Sequence, residues 1–179
     1  METMDNLHAS VSFTTRLPRA AEVDGEDYSF ITEKKFRNMI GKNEFVEWAE
    51  VHGNLYGTSR HRLEKIIDGG NDVILDIDTQ GAAQIKRAFD QGVFIFILPP
   101  SLTVLRERLE KRMSNTKEDI ERRLKRAVEE IRAYTMYDYV IVNSLLKNSL
   151  RTFEAIVLAE RHRSARKDSA WIEKNIIRR

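Results

Sequence analysis

Hydroxyl, guanidinium and phenol groups are concentrated in one short stretch near the start of the chain, Thr14-Thr15-Arg16, Arg19, Glu22, Gly25, Tyr28 and Phe30. An arginine side chain binds phosphate oxygens through two parallel N–H donors, and a tyrosine hydroxyl adds a further donor. The stretch therefore predicts a phosphate-binding loop. A polar surface loop with a conformational glycine would have the same composition.

A second polar cluster flanks the predicted turn at Gly53-Asn54, with Glu47 before it and Tyr56 and Thr58 after it. A carboxylate accepts hydrogen bonds from the N–H donors on the edge of a base of the guanine type. Tyr56 could donate to a phosphate. The alternative is an ordinary hairpin with one polar face.

Two acids, Asp76 and Asp78, end the apolar segment DVILDID. Ligands of open parallel sheets bind just outside the carboxyl ends of the strands, where acids suit water-mediated magnesium binding or contacts to a guanine amine. The alternative is that Asp78 caps the helix predicted to begin at Thr79.

Basic residues are dense in a predicted helical pair and again from Arg161 to Arg179; those of the pair are Arg106, Arg108, Lys111, Arg112, Arg122, Arg123, Lys125 and Arg126. One interpretation is a solvated helix face paired with neighbouring acids. The other is a hinged lid whose arginines neutralise a transferring phosphoryl group. The near balance of 30 basic and 28 acidic residues argues against a bulk nucleic-acid binder.

The bulk composition, 179 residues of which 41% are hydrophobic, is sufficient for one domain with a core. The absence of cysteine excludes disulfides, thiolate zinc sites and a cysteine nucleophile. The sequence has no apolar run of the roughly 18 residues that a membrane helix needs and no signal-peptide pattern, so a cytoplasmic protein is expected.

The hydrophobic pattern changes along the chain. Up to residue 58 it predicts a small, mixed, mainly antiparallel subdomain, with strands at 10–15, 28–31, 44–52 and 55–58 and a helix capped by Thr32. Beyond it, helices at 59–68, 79–90, after Ser101 and at 146–163 alternate with strands at 72–78, 93–98 and 139–142. This alternation predicts a parallel sheet, in which the VFIFIL strand is buried on both faces.

Taken together, these blocks resemble the guanylate kinases from about Ser10 to Arg163. Every position of the family signature, T-[ST]-R followed by a basic residue, an acid, a glycine and Y-x-[FY] at fixed spacing, is satisfied between Thr14 and Phe30. The segments EFVEWAEVHGNLYGTS, VILDIDTQGA, ILPPSL and VIVN follow in the family's order. The resemblance implies an α/β fold: a parallel sheet of the P-loop-NTPase type with flanking helices, a small mixed β subdomain that binds GMP, and a helical lid.

The resemblance also implies one domain over residues 1–179, with the GMP-binding part at about 16–58, the lid at about 106–123 and a C-terminal tail at 164–179. The phosphate of substrate GMP would be bound by Ser12, Arg16, Arg19, Tyr28 and Tyr56, and the guanine by Glu47, Thr58 and Asp78. Glu22 would be a further residue of the GMP-binding set. The catalytic arginines would be Arg108, Arg112 and Arg123, with Asn143 on the ATP side and Asp76 indirectly near the metal. The expected reaction is ATP plus GMP to ADP plus GDP, with Mg²⁺, in purine nucleotide metabolism.

The sequence departs from the family pattern at Met113, where a glycine is usual, at Ser144, where an aspartate is usual, and ahead of the signature. The family's first strand, its G-x-x-x-x-G-K-[ST] loop and the next helix would occupy about 30 residues there. Only Met1 to Ala9 precede it in this chain. We therefore expect the central strand and the phosphate cradle to be missing, and the chain as given to be inactive.

Two functions remain open at this stage. The first is a guanylate kinase whose true start lies upstream of Met1. The second is a catalytically dead module of the kind found in membrane-associated scaffolds, which uses the same groove for GMP or for a phosphorylated protein. No nucleic-acid or membrane partner is expected under either.

Overall fold

The computed structural model describes residues 4–89, 91–111 and 117–178. The chain divides into two compact units, Met1–Gly92 and Val93–Arg179. Arg112 and Met113, which the sequence analysis assigned to the lid, lie outside the described residues. None of the helices in the described ranges is long and apolar enough to cross a membrane.

The first unit contains a mixed sheet and a separate parallel strand pair. Its strands are β1 (Leu7–Ala9), β2 (Phe13–Thr14), β3 (Ser29–Phe30), β4 (Phe45–Val51), β5 (Asn54–Ser59) and β6 (Asp72–Ile74). Its helices are α1 (Glu33–Gly41), α2 (Arg60–Asp68) and α3 (Thr79–Ala88). In the four-stranded sheet, β3-β2-β5-β4, only β2 and β3 are parallel. The predicted mixed, mainly antiparallel subdomain is confirmed.

Aromatic side chains form the core of this unit. Phe36 of α1 is fully buried and stacks on Phe45 of β4 with 4.4 Å between ring centroids. Phe13, Met39 and Leu55 complete the buried cluster. Gly57 is required here because a Cβ atom would lie 3.0 Å from both the Phe36 and the Phe45 rings. The core thus packs α1 against the middle of the sheet that carries the candidate site.

Single side chains cap the first turns of three helices; the caps Thr32 and Ser101 were predicted, whereas Ser59 was predicted to lie within its helix. The side chains of Thr32 and Ser59 accept hydrogen bonds from Lys35 and Arg62 backbone N–H groups at the starts of α1 and α2. Ser101 does the same for Val104 in the second unit. These contacts satisfy backbone donors that a helix leaves unpaired at its first turn.

The predicted strand at 10–15 was wrong in extent. The chain instead forms β1, which runs parallel to β6, and then changes sheets to form β2. Ser10 continues the first ladder by donating its N–H to the Ile74 carbonyl at 2.9 Å, and Ser12 accepts from the Ser29 N–H at 2.8 Å. The alternation of polar and apolar side chains shows which face of a strand each residue occupies. It continues unchanged where the chain passes from one sheet to the other, so it could not reveal the break between β1 and β2.

The second unit contains a parallel strand pair and a series of helices. The strands are β7 (Ile95–Leu98) and β8 (Tyr139–Val142), and the helices are α4 (Leu102–Glu110), α5 (Lys117–Ile131), α6 (Leu146–Arg161) and α7 (Ser169–Ile172). A 3₁₀ helix (Arg132–Met136) leads into β8, and a π-helical turn (Glu173–Ile177) follows α7. The C-terminal tail is therefore partly helical.

The burial predicted for the VFIFIL strand on both faces was wrong. Ile97 of β7 is 52% exposed and Val142 of β8 is 54% exposed. The reason is that β7 and β8 form a two-stranded sheet within their unit, so part of their apolar surface has no covering layer. The predicted parallel pairing itself is confirmed over four residue pairs, from Ile95–Tyr139 to Leu98–Val142.

Candidate functional site

The predicted phosphate loop contains a tightly held ion pair. The Glu22 carboxylate accepts from Arg16 Nη1 and Nη2, each at 2.8 Å, and also from the Arg19 backbone N–H at 2.7 Å. The hydrogen bonds from Arg16, and then from the Arg19 backbone, lower the pKa of Glu22 to about 2. Both partners are therefore ionised at neutral pH, and the side chain of Arg16 is fixed.

The ion pair with Glu22 uses one edge of the Arg16 guanidinium, and Tyr56 is a further hydrogen-bond partner of Arg16. Glu22 takes one hydrogen from each Nη atom, and the Leu17 carbonyl takes the second Nη1 hydrogen at 2.7 Å. The donors that Glu22 and Leu17 do not use are Nε and the second Nη2 hydrogen, which form a parallel fork. A fork of this kind matches two oxygens of a phosphate.

Aromatic rings surround the same guanidinium. Arg16 Cζ lies 5.3 Å from the centroid of the Tyr28 ring and 5.7 Å from that of Phe30. The Tyr28 and Tyr56 rings meet edge to face at 6.0 Å. The pKa of Arg16 is raised, first by its hydrogen bonds to Glu22 and then by hydrogen bonding to Tyr56. The pKa of Tyr28 is raised, first by burial and then by the negative charge of Asp76. Four predicted site residues, Arg16, Tyr28, Tyr56 and Asp76, are thus close enough to interact.

The loop that carries these residues is held by its own side chains. Gly25 has a φ of +84°, which L side chains rarely adopt, and it donates its N–H to the Tyr28 carbonyl at 2.8 Å. The Asp24 carboxylate accepts from the Phe30 N–H at 2.9 Å. The glycine of the signature is therefore conformational, and it closes the loop that presents Tyr28.

A buried carboxylate lies further along the same sheet. Glu47 on β4 is 4% exposed, and its Oε1 accepts from the Thr58 hydroxyl on β5 at 2.6 Å. Burial raises the pKa of Glu47, and the charge of Asp78 raises it further. The three residues predicted to contact guanine, Glu47, Thr58 and Asp78, are therefore neighbours.

Asp78 has the structural role that the sequence left open. It precedes α3, and its Oδ1 accepts from the Gly81 N–H at 2.9 Å, while Gln80 Nε2 donates to Oδ2 at 3.1 Å. The helix-cap interpretation is confirmed. A contact between Asp78 and a base stays a prediction.

The two remaining residues of the predicted phosphate set are less constrained. The side chain of Arg19 is 72% exposed, with its Nη1 3.6 Å from Glu22 Oε1. Ser12 is half-buried immediately before β2. Both are therefore within the loop region, but only Arg19 has a side-chain ion pair with another member of the set.

In the second unit, two predicted residues contact each other directly. Arg108 Nη2 donates to the Asn143 carbonyl at 2.8 Å, and Asn143 Oδ1 accepts from the Ser149 hydroxyl at 3.1 Å. Arg123 is half-buried on α5. Of the three predicted catalytic arginines, Arg108 is thus oriented from the end of β8, and Arg112 lies outside the described residues.

Other arginines of the helical pair form ion pairs with acids, as the solvated-face interpretation predicts. Arg106 of α4 pairs with Glu121 of α5, and Arg126 pairs with Glu130 one turn along α5. Arg122 pairs with Asp119 in the same way. The solvated-face interpretation is therefore supported for Arg106, Arg122 and Arg126, while the lid interpretation of Arg108, Arg112 and Arg123 stays a prediction.

The described residues contain no group of three or more histidine, aspartate or glutamate side chains that could hold a metal ion. Asp76, the weak candidate, is exposed. Mg²⁺ typically uses one or two protein carboxylates together with nucleotide phosphates and water. The chain therefore offers no preformed metal cage in the parts described, which is compatible with a metal that is bound mainly through a nucleotide.

Two residues that hold the site together, Arg62 and Gln84, were not predicted from the sequence. Arg62 of α2 donates to the Ser29 hydroxyl at 2.8 Å and lies 4.4 Å from the Phe13 ring centroid, so it joins α2 to β2 and β3. Gln84 of α3 bonds to the backbone of Trp48, next to Glu47. The available signal for Gln84 was its spacing, because Asp78, Gly81 and Gln84 recur every three residues along one helix face.

Comparison with known proteins agrees with this geometry. The guanylate kinase family model matches residues 2–160. A guanylate kinase of Geobacter metallireducens is 50% identical over 166 residues, which cover 93% of this chain and 82% of that protein. One from Caldanaerobacter subterraneus is 42% identical over 97% of this chain and 84% of that protein. The crystal structure of guanylate kinase from Anaplasma phagocytophilum superposes with a TM-score of 0.84 and 35% identity, over 98% of this chain and 88% of that one.

The similarity in sequence and in fold places the chain in the class of nucleoside monophosphate kinases. Within that class, the extent of both the sequence and the structural matches leaves a single assignment. The chain belongs to the guanylate kinase family.

Proposed function

We propose that the chain binds GMP in its first unit as the acceptor in the reaction ATP plus GMP to ADP plus GDP. The observation that carries this proposal is the placement of Tyr56 and Thr58 on β5. They are two residues apart, so their side chains share one face of the strand, about 7 Å apart. Tyr56 lies beside the Arg16–Tyr28 cluster, and Thr58 is bonded to Glu47.

This face suits the two ends of a guanine nucleotide. At one end, the Arg16 fork, with Tyr28, Tyr56 and Arg19, supplies donors for a phosphate. At the other, the two oxygens of Glu47 can accept from the ring N–H and the amino group of guanine. Adenine lacks that pair of donors on the equivalent edge, so we expect strong discrimination against AMP.

Phosphoryl transfer requires charge neutralisation and positioning rather than a covalent intermediate. In the second unit, Arg108 and Arg123 would contribute positive charge, with Arg112 in the same role and Asn143 towards ATP. Mg²⁺, bound with ATP, would neutralise negative charge on the phosphate oxygens. Asp76 would contribute at most one carboxylate near the Mg²⁺ ion, without binding the ion directly.

The 179 residues contain no G-x-x-x-x-G-K-[ST] sequence, since no two of the eight glycines are five positions apart. That loop supplies backbone N–H groups and a lysine to the phosphates of ATP. We therefore propose that a protein made of these residues alone binds GMP but transfers phosphate slowly.

Calorimetry with GMP, IMP and AMP, together with an ADP-release assay, tests both parts. We expect GMP to bind and AMP not to, with turnover far below the roughly 1–100 s⁻¹ typical of kinases. Turnover in that range would refute the proposed inactivity. Absence of GMP binding by the folded protein would refute the proposed site.

The missing glycine-rich motif also favours a second candidate, a catalytically dead binding module. That function predicts tight binding of a phosphopeptide at the Arg16 loop and no affinity for GMP. Calorimetric titration with GMP and with a phosphopeptide separates the two candidates, because only the nucleotide needs the residues predicted to bind guanine.

A further inference from the structure

Helix α3 is joined to the edge strand of the mixed sheet by one side chain. Gln84 Oε1 accepts from the Trp48 backbone N–H at 3.2 Å, and Gln84 Nε2 donates to the Trp48 carbonyl at 2.8 Å. Since β4 is an outer strand of its sheet, these backbone groups have no neighbouring strand. The Gln84 amide therefore pairs with Trp48 as a further strand would.

The same helix is in close contact with the buried carboxylate. A Cβ atom on Gly81 would lie 2.6 Å from Glu47 Oε2, which shows how near the helix backbone comes to that oxygen. Asp78, one turn earlier, caps α3 through the Gly81 N–H. Asp78, Gly81 and Gln84 thus form one face of α3, and that face lies against β4 at Glu47 and Trp48.

We propose that Gln84 is a positioning residue for guanine recognition: by fixing the Trp48 peptide against α3, it sets the place of the adjacent Glu47 carboxylate. The inference rests on the proposed function, in which Glu47 reads the base. Gln84 itself would not touch the nucleotide. It acts through the backbone, because a shift of the Trp48 peptide moves Glu47 relative to Asp78.

Recognition of guanine by a carboxylate depends on this placement. Two parallel hydrogen bonds, from the ring N–H and the amino group, need both carboxylate oxygens at the correct distance. Hypoxanthine has the ring N–H but lacks the amino group. A displaced Glu47 should therefore lose more affinity for GMP than for IMP, and the ratio of the two affinities reports its position.

A purely structural role for Gln84 makes a different prediction. If the side chain only covers an exposed strand edge, its loss would lower the stability of the fold and leave the GMP-to-IMP affinity ratio unchanged. The ratio therefore separates positioning from stabilisation, and stability alone does not.

The experiment measures the dissociation constants of GMP and IMP and the urea midpoint for the full chain. Q84M removes both hydrogen bonds at similar volume, and Q84E keeps an acceptor for the Trp48 N–H. R87M changes an exposed residue of the same helix and serves as the matched control. We expect Q84M to lower the GMP-to-IMP affinity ratio about tenfold, the equivalent of one well-made hydrogen bond, Q84E to lower it less, and R87M to leave it unchanged.

If Q84M does not fold, Q84E takes its place, because it also loses the hydrogen bond to the Trp48 carbonyl. G81A tests the premise, since the new methyl group must displace the Glu47 carboxylate while alanine favours the helix. We expect the affinity ratio to fall in G81A without loss of stability. An unchanged ratio in folded Q84M, or in Q84E when Q84M is unfolded, would overturn the inference. If instead the unsubstituted chain showed no preference for GMP over IMP, the proposed base recognition itself would be wrong.

Discussion

The carboxylate of Glu22 holds the guanidinium of Arg16 through two parallel hydrogen bonds of 2.8 Å. An arginine can offer the same kind of paired N–H donors to two oxygens of a phosphate. Glu22 therefore fixes the orientation of Arg16 without using Nε. This relationship predicts two roles within the signature loop: Arg16 would bind the phosphate, and Glu22 would orient Arg16.

Replacement of Arg16 by alanine should weaken GMP binding by roughly 1–3 kcal/mol, because a charged contact to phosphate is lost. Calorimetric titration with GMP measures this change directly. The control is Arg37→Ala, since Arg37 forms an exposed pair with Glu33 on α1. Unchanged affinity in Arg16→Ala would remove Arg16 from the site.

Replacement of Glu22 by glutamine should also weaken GMP binding, but by less. The substitution makes the site more positive, so a purely electrostatic role would predict tighter binding of the phosphate. We expect the opposite, because a neutral amide cannot accept from both Nη atoms and Arg16 loses its orientation. Tighter GMP binding in Glu22→Gln at low salt would contradict the orienting role.

Replacement of Glu47 by glutamine should stabilise the fold at neutral pH while reducing GMP affinity at least tenfold. Burial raises the folded-state pKa of Glu47, so between the ordinary and the raised pKa the folded chain binds this proton more strongly than the unfolded chain does. The stability contributed by this carboxyl therefore falls as pH rises from its ordinary pKa of 4.5 through the raised value.

Urea unfolding of both proteins at pH 4 and pH 8 measures this effect. The stability advantage of Glu47→Gln should be larger at pH 8 than at pH 4, where the native carboxyl approaches neutrality in both states. Glu50→Gln provides a control on the same strand, since Glu50 is exposed. An advantage that shrinks as the pH rises would contradict a desolvated Glu47.

Replacement of Tyr139 by phenylalanine should lower the melting temperature of the second unit. The Tyr139 hydroxyl donates to Glu160 at 2.6 Å, joining β8 to the last turn of α6, and Glu160 is 6% exposed. That hydrogen bond, with those from Arg163, lowers the pKa of Glu160. Its stabilising effect is therefore complete above the ordinary carboxyl pKa and is lost as the pH falls through the lowered value.

Thermal unfolding at pH 7 and at about pH 3 checks this prediction, with Tyr134→Phe as the control because Tyr134 is 48% exposed. The difference between Tyr139→Phe and the unsubstituted chain should be larger at pH 7. An equal difference in melting temperature at both pH values would mean that the Tyr139 hydroxyl stabilises the fold independently of the charge on Glu160.

Much of the secondary structure follows from local sequence. Thr32 and Ser101 cap the helices that they were predicted to cap, and β8 has the predicted bounds, because capping and apolar runs are local properties. The change of sheet between β1 and β2 was not predictable in the same way. It depends on β6 and β5, whose sequences are distant from that segment.

By itself, the sequence determined which chemical groups the site contains and their family, since the signature from Thr14 to Phe30 depends on residue types at fixed spacing. Only the tertiary structure decided what each group does. Glu22 looked like one more binding residue until its bonds to Arg16 showed an orienting role. Gln84 carried no visible role until the fold placed α3 against the edge of β4. Such roles depend on partners that are distant in sequence, and contacts of that kind exist only once the chain has folded.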